Sequence, residues 1–369
     1  MRDPQVTRQH LIALNSGETL ARDSICKLAL GLDQWIESAE SATILSHRHQ
    51  VPQADFDTAR RLVRSADTLA DRQQRQARSL GVEILTLVDD AYPEYLHQLE
   101  LPPPVLYIRG RLPTAPAVAI VGSRRATSLG LEVAELFGRE LAACGLTVIS
   151  GFARGIDMAA HRGAVSAAAG RTVAVLGCGL DVDYPRRRSR IRSSIASRGA
   201  LVSEFPFAAQ PLPRNFPIRN RIIAALSLGT LVVQGTPKSG SLITARLALD
   251  LGRDVYAVPG SIFEKRSAGP NALIQDGALL VKQPDEILES LPISIRESLN
   301  LDLGRDRQPA LNGPLGELLA SLSPGQMVTA DHLVTVTGEP LDRVLGSLME
   351  LEMLGLVKRL PGAVFCRKP

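Results

Sequence analysis

The residues best placed to do chemistry are Gly122, Ser123 and Arg124, with Arg125 directly behind them. Four apolar residues, Val118 to Val121, run into this small-residue corner, and Ser128 to Cys144 then has helical spacing. A strand that ends on glycine and opens a helix offers an anion backbone N–H groups and the positive end of a helix dipole. Two arginines there add full charges, so the corner suits a phosphate-bearing ligand. Four similar corners follow: Gly151-Phe-Ala-Arg-Gly155 with Arg154, Gly177-Cys-Gly179, Gly235-Thr-Pro-Lys-Ser-Gly-Ser241 with Lys238, Ser239 and Gly240, and Pro259-Gly260-Ser261. One such turn says little, because a strand-to-helix corner often needs positive φ. Five on one edge of one sheet predict a long groove lined with backbone N–H groups.

Nucleotide motifs are testable directly. After the first corner the run reads Gly122-Ser-Arg-Arg-Ala-Thr127, which is not GxGxxG, and Gly235 to Ser241 lacks the lysine a Walker A loop places after its second glycine. Both the dinucleotide and the P-loop readings are disfavoured; Lys238 can still meet a phosphate as a point charge. Arg186, Arg187, Arg188, Arg190, Arg192 and Arg198 form a run with no acid between Asp183 and Glu204. Solvated faces usually mix signs, so this run is read as anion-binding. Arg214, Arg219 and Arg221 frame Asn215-Phe216-Pro217 and Asn220. Aromatics make up only 4% of the chain, which limits base stacking to single positions. Phe152, Tyr184, Phe207 and Phe216 lie near corners, and packing is the simpler reading for all but Phe216. Asp157 and His161 stand at i and i+4, an arrangement that suits an orienting Asp–His hydrogen bond; no nucleophile accompanies them. Glu204 is expected to cap or to pair with an arginine. Cys26, Cys144, Cys178 and Cys366 have no ligand-like spacing, so no metal site is expected, and no cofactor.

These corners need a regular scaffold, and the pattern supplies one. Strands at Ala117–Val121, Leu146–Ser150, Thr172–Leu176, Leu201–Glu204, Thr230–Gln234 and Val255–Val258 alternate with helices at Ser128–Cys144, Ile156–Ala169, Arg186–Ser197, Arg219–Ser227 and Ser241–Leu251. Near-continuous apolar strands separated by helices predict an α/β fold, a doubly wound Rossmann-like parallel sheet covered on both faces. The expected organisation is a helical module over residues 1–80, a core over 81–289, a linker over 290–312 and a C-terminal domain over 313–369. In the N-terminal module, helical spacing covers 6–14, 21–29 and 56–77, suggesting a SAM-like or helix-hairpin arrangement; Arg72, Arg75 and Arg78 beside Asp67 and Asp71 read as a solvated face. Strands are also expected at 82–88 and 105–108, joined through the three-proline connector Leu101–Pro104. The C-terminal domain, with three helices and a hairpin, reads as a winged helix. Its would-be reading helix carries Asp342, Glu350 and Glu352 against Arg343, the wrong bias for DNA, so a partner or dimer contact is expected there.

Charge is unevenly spread. Residues 111–290 hold 22 Lys and Arg against 14 Asp and Glu, whereas the whole 369-residue chain is only +4. A basic centre between acidic flanks implies a polyanionic partner. With no leader-like N-terminus and no apolar run of roughly 18 residues, a soluble cytoplasmic protein without membrane insertion is expected.

Several ordered motifs resemble the DNA-processing protein A (DprA/Smf) family. They are Val121-Gly-Ser-Arg124, Ser150-Gly-Phe-Ala-Arg-Gly-Ile-Asp157 with His161, Gly177-Cys-Gly-Leu-Asp181 with Tyr184-Pro185, Ser203-Glu204, Asn215-Phe-Pro-Ile-Arg-Asn-Arg221, Ser239-Gly-Ser-Leu-Ile-Thr-Ala245 and Val258-Pro-Gly260. The match spans about Leu85 to Val281. The resemblance implies an extended Rossmann fold and a homodimer that binds single-stranded DNA in natural transformation. Such proteins protect incoming strands and help load the RecA recombinase against single-strand-binding protein, and are not known for catalysis. It also implies DNA-contacting roles for the Gly122-Ser123-Arg124 corner, for Arg186 to Arg188 after Tyr184-Pro185, and for Asn215, Arg219, Asn220 and Arg221. Two departures stand out: arginines where the family usually has an asparagine after Tyr-Pro, and Val232-Val-Gln-Gly235 where it usually has a glutamate. The rival reading is a nucleotide phosphoribohydrolase of the lysine-decarboxylase-like Rossmann type, whose PGGxGTxxE signature is met only by Pro259-Gly-Ser-Ile-Phe-Glu264. A third reading is an adaptor that works through the winged helix.

Overall fold

The computed structural model describes residues 3–17, 19–36, 38, 40–299, 313–323, 326–354, 356–360 and 362–367. The chain forms two compact units, Met1–Leu301 and Asp302–Pro369.

The first unit begins with helices α1 (Pro4–Asn15), α2 (Arg22–Leu30), α3 (Leu32–Trp35), α4 (Ala42–Arg48), α5 (Gln53–Arg64) and α6 (Ala66–Leu80). The single helix expected over 56–77 is two, because Ser65 leaves helical geometry at φ −109°, ψ 23°. Trp35 meets Phe56 edge-on at 5.3 Å and donates its indole N–H to Leu28 O at 2.8 Å, which satisfies the one polar atom of a buried ring. This helical core is continuous with Val82, Ile84, Val105 and Tyr107 of the sheet.

The sheet and its helices follow in order: β1 (Val82–Thr86), α7 (Glu94–His97), β2 (Val105–Gly110), β3 (Ala117–Val121), α8 (Ser128–Ala143), β4 (Thr147–Ser150), α9 (Ile156–Ser166), β5 (Arg171–Val175), α10 (Ser189–Arg198), β6 (Gly199–Ser203), α11 (Asn215–Ala225), β7 (Gly229–Val232), α12 (Gly240–Asp250), β8 (Asp254–Ala257), α13 (Ala268–Gln275), β9 (Leu279–Leu280), α14 (Pro284–Ser290) and α15 (Ile293–Glu297). Strand order is β1-β2-β6-β5-β4-β3-β7-β8-β9. From β6 to β9 every pairing is parallel, and β1 and β2 extend the sheet antiparallel beyond β6. The sheet is therefore a parallel Rossmann-like core with an antiparallel margin rather than parallel throughout. Alternate residues of β3 face opposite ways: Val118 and Ile120 pack with α8 and α9, while Ala117, Ala119 and Val121 pack with α11 and α12. Two-sided burial explains why the strands read as unbroken apolar runs.

Two helix starts differ from the sequence reading. Arg186 to Arg188 precede α10, which begins at Ser189, and α11 begins four residues early at Asn215. Pro217 fits that first turn because the N–H it lacks would have no intrahelical acceptor. Of the expected linker 290–312, Ile293–Glu297 is helical, and residues 300–312 lie outside the described residues. Cys26, Cys144 and Cys178 are buried, whereas Cys366 is half-buried.

The second unit has α16 (Pro314–Ala320), β10 (Met327–Thr329), α17 (Ala330–Thr337), α18 (Leu341–Met353), β11 (Val357–Leu360) and β12 (Val364–Arg367), with β12 central in a three-stranded antiparallel sheet. Leu318, Leu333, Leu348 and Phe365 centre its core. This is a winged helix, with β10 added to the expected hairpin. Among the described residues no helix is long and apolar enough to cross a membrane.

Candidate nucleic-acid interface

β3 pairs with β4 on one side and β7 on the other, so strand order reverses there and a crevice opens at the carboxyl ends. It is a cleft of about 450 Å³ whose wall includes Gly122, Ser123 and Arg124 after β3, Ala153 and Asp157 after β4, Phe216, Arg219 and Asn220 of α11, and Thr236, Ser239, Gly240 and Ser241 after β7. The first corner is fixed by its backbone. Ser123 N donates to Gln234 O at 2.6 Å, and Ser123 O accepts from Ile156 N at 3.2 Å. A Cβ at Gly122 would stand 2.6 Å from Ile156 Cγ1 and 2.8 Å from Gln234 O, so no larger residue fits.

Arg124 is exposed, and its guanidinium lies over the Phe216 ring, 4.7 Å from the centroid. Tyr184 packs against the same ring at 5.6 Å. A cation held on an aromatic face leaves its N–H fork free for phosphate. Across the cleft, Ser239 and Ser241 place their hydroxyls 2.5 Å apart at the start of α12, an 11-residue helix, where the backbone N–H groups and the dipole favour an anion.

Several expected ligand contacts are instead internal supports. Arg219 is 3% exposed, and its guanidinium donates to Gly151 O at 2.6 Å, to Val175 O and to Asn220 Oδ1. It clasps the ends of β4 and β5, so Gly151 contributes a carbonyl to this clasp. Burial lowers the Arg219 pKa to about 10, against the raising charge of Asp157. Burial likewise pushes the Asp157 carboxyl above its usual range, opposed by Arg219 and by the Ala153 N–H at 3.3 Å. Asn215 donates to Gly177 O and Gln210 O, and Asn220 donates to Gly240 O. Arg221 is turned away from the cleft: it forms a bidentate pair with the fully buried Glu204 at 3.0 and 2.8 Å and lies 3.7 Å from Cys26 Sγ on α2. This is the arginine partner anticipated for Glu204, and it commits the Arg221 guanidinium to the interior of the fold.

The Asp157–His161 bond does not form. His161 Nδ1 is 2.7 Å from Thr172 Oγ1, whose hydroxyl donates to Val148 O, so His161 Nδ1 is the donor. Burial, and secondarily the charge of Arg219, lowers the His161 pKa to about 3. The arginine run also divides. Arg186, Arg187 and Arg188 are exposed, whereas Arg192 is buried on Leu180 O and Val182 O, and Arg198 caps Ala167 O and Ala168 O. Arg125, Arg154 and Lys238 are exposed beside the cleft without lining it. Of the five corners, those after β3, β4 and β7 meet; the one after β5 is covered by the Phe216 ring at Gly177 and by the Ala209 segment at Gly179. Phe152 and Phe207 are core residues.

Gln234, noted in the sequence only as a departure from the family pattern, has a structural task that its motif did not show. Gln234 Oε1 accepts from Thr127 N at 3.0 Å and its Nε2 donates to Thr127 Oγ1 at 2.9 Å, tying β7 to the N-cap of α8. A neutral amide supplies both donor and acceptor here, which a carboxylate cannot.

The family described as DNA recombination-mediator protein A matches residues 83–292, and the DprA winged helix domain matches residues 305–363. The chain is 41% identical over 278 residues to protein Smf of Escherichia coli strain K12, covering 73% of this chain and 74% of that one. It is 42% identical over 207 residues to DNA processing protein DprA of Streptococcus pneumoniae, covering 55% and 72%. Among solved structures, DNA processing protein A of S. pneumoniae superposes with a TM-score of 0.67 at 32% identity, covering 77% of this chain and 98% of that one. The Helicobacter pylori protein, described for its single-stranded DNA binding mode, gives 0.50 at 30% identity, covering 56% and 93%.

Proposed function

The chain belongs to the DNA recombination-mediator protein A family, and on that premise we propose that it binds single-stranded DNA in the β3–β7 cleft. The observation that carries this reading is the stack of Arg124 on Phe216 at the meeting of three corners. It sets a guanidinium fork for a phosphate directly beside a half-buried aromatic ring. Exposed Arg125, Arg154 and Lys238 adjoin the cleft, and exposed Arg186 to Arg188 follow Tyr184, which packs on Phe216, so together they extend the cationic path for a backbone. Asp157, the carboxylate lining the cleft, is committed to the corner and to Arg219, so the reading assigns it no catalytic step. In the cell the protein protects incoming strands in natural transformation and hands them to RecA, acting as a homodimer in the cytoplasm. The two-residue edge strand β9, with Leu279 and Leu280 exposed, leaves an open ladder that supports self-association.

The test compares single-stranded with duplex oligonucleotides by fluorescence anisotropy, for the intact protein and for Arg124→Ala. Preference for the single strand is expected, together with roughly a tenfold loss in the variant, about 1.4 kcal/mol, with no change in the thermal melt. Equal affinity of a folded Arg124→Ala protein would remove the cleft assignment.

A further inference from the structure

The loop between β8 and α13 carries the most exposed apolar pair near the cleft: Ile262 is 86% and Phe263 91% exposed. The cost of leaving them in water is not explained by a floppy segment, because the loop is tied at every step. Gly260 exchanges two hydrogen bonds with the Asn271 side chain, at 3.1 and 2.9 Å. Glu264 N donates to Ser261 O at 3.1 Å, which closes a turn with Ile262 and Phe263 at its two central, outward positions. At the far stem, Arg266 O accepts from Gly235 N at 2.6 Å, so the loop hangs from the same β7 corner that forms the cleft.

Beside this tip lies a second cleft of about 670 Å³. Ser123, Arg124 and Thr236 belong to both clefts, so the two are continuous around the first corner. The second is walled further by Arg125, Phe263 and Lys265. Its carboxylate, Glu264, is held by Arg266 at 3.0 Å. Arg124, Arg125 and Lys265 make no ion pair among the described residues, so the unpaired charge in the cleft is cationic. An exposed aromatic tip beside unpaired cations is what a nucleobase and its phosphate require, since every base has a face to stack and stacking is indifferent to sequence.

We propose that Phe263, flanked by Ile262, is a second base-stacking platform, and that the bound single strand turns around Arg124 to place a further base on it with its phosphate on Arg125 and Lys265. This rests on the single-stranded DNA reading of the first cleft, and extends the footprint to a subsite on the opposite side of the corner. A protein-docking tip is the competing use of the same side chains, but the continuity with the first cleft and the unpaired cations favour DNA.

The experiment uses the full chain and oligothymidylates of increasing length. Phe263→Ala should leave the shortest ligands unaffected, since they fill only the Arg124–Phe216 station. It should weaken longer ones by roughly 5- to 150-fold, the range for losing one stacked base, and Phe263→Tyr should restore the affinity. Because the chain has one tryptophan, the buried Trp35, Phe263→Trp adds an exposed reporter whose fluorescence long oligonucleotides should quench. If Arg124→Ala weakens binding while Phe263→Ala has wild-type affinity at every length and Phe263→Trp is not quenched, the subsite is overturned and the first cleft stands. If Arg124→Ala also binds normally, the underlying reading falls with it.

Discussion

Arg124 and Arg219 both lie near one ring, Phe216, at 4.7 and 5.9 Å, yet their environments give them different work. Arg219 spends its donors on the carbonyls that end β4 and β5, while Arg124 keeps its donors in solvent. Sequence alone did not separate them, because each stands in a motif that suits an anion; what differs is burial, a property of the assembled sheet. The same holds for His161. Its spacing from Asp157 was legible, but the ring is turned to Thr172, a residue 11 positions on and on a neighbouring strand. A consequence follows for pH. The folded pKa near 3 lies below the ordinary value of 6.5, so below about 6.5 the unfolded chain takes up a proton that the folded chain refuses. This stability term is fully present above pH 6.5 and is lost as pH falls towards 3. Between pH 7 and pH 5 it amounts to about 2 kcal/mol. His161→Gln should therefore lose less stability across that interval than the wild type, as read from urea midpoints at the two pH values. Equal losses would mean that the ring is charged in the fold.

At the scale of elements, the strand-end corners were legible because each is a local signal: an apolar run, a glycine, then helical spacing. The antiparallel attachment of β1 and β2 was not, since nothing in Val82–Thr86 or Val105–Gly110 says which edge they join. Helix α11 shows the same limit. Its residues Phe216 and Asn220 face the cleft, while Arg221, next in sequence, points to Glu204 and the N-terminal helices. One turn of helix thus serves both the cleft and the attachment of the helical segment. Arg221→Met leaves the fully buried Glu204 carboxylate without its partner, which costs about 3–5 kcal/mol. Chemical denaturation should register that loss, while the folded fraction binds single strands as before; a variant that keeps its stability but loses DNA would return Arg221 to the interface. In the winged helix, α18 turns Val344, Leu348 and Leu351 inward and leaves Leu341, Leu345, Met349 and Met353 exposed at four-residue intervals. With Asp342, Glu350 and Glu352 on the same helix, that stripe suits an apolar protein contact and repels phosphate. Met349→Asp should accordingly leave affinity for both single-stranded and duplex DNA unchanged in the same anisotropy assay. A marked loss would make α18 a DNA reader despite its charge.

At the scale of the molecule, what matters is where the charge lies rather than its total. The surplus of eight positive charges in residues 111–290 was visible in the sequence, but its division was not. Arg192, Arg198, Arg219 and Arg221 are spent inside the fold on carbonyls and on Glu204. The exposed cations left for a ligand at the carboxyl edge of the sheet include Arg124, Arg125, Arg154, Arg186 to Arg188, Arg190, Arg214, Lys238 and Lys265. That distinction can be measured. Each phosphate neutralised on a single strand contributes roughly −0.7 to the slope of log affinity against log salt. A strand that follows the exposed edge should give a steep slope, and removing one contacting cation should lower it by about one phosphate. Arg125→Ala should make the slope shallower by roughly 0.7, whereas Arg192→Met, which removes a buried cation, should leave it unaltered even where it costs stability. Parallel lines for Arg125→Ala and wild type would mean that Arg125 meets no phosphate. A shallower line for Arg192→Met would mean that the buried arginines set the field felt by the strand, and the edge would no longer account for binding on its own.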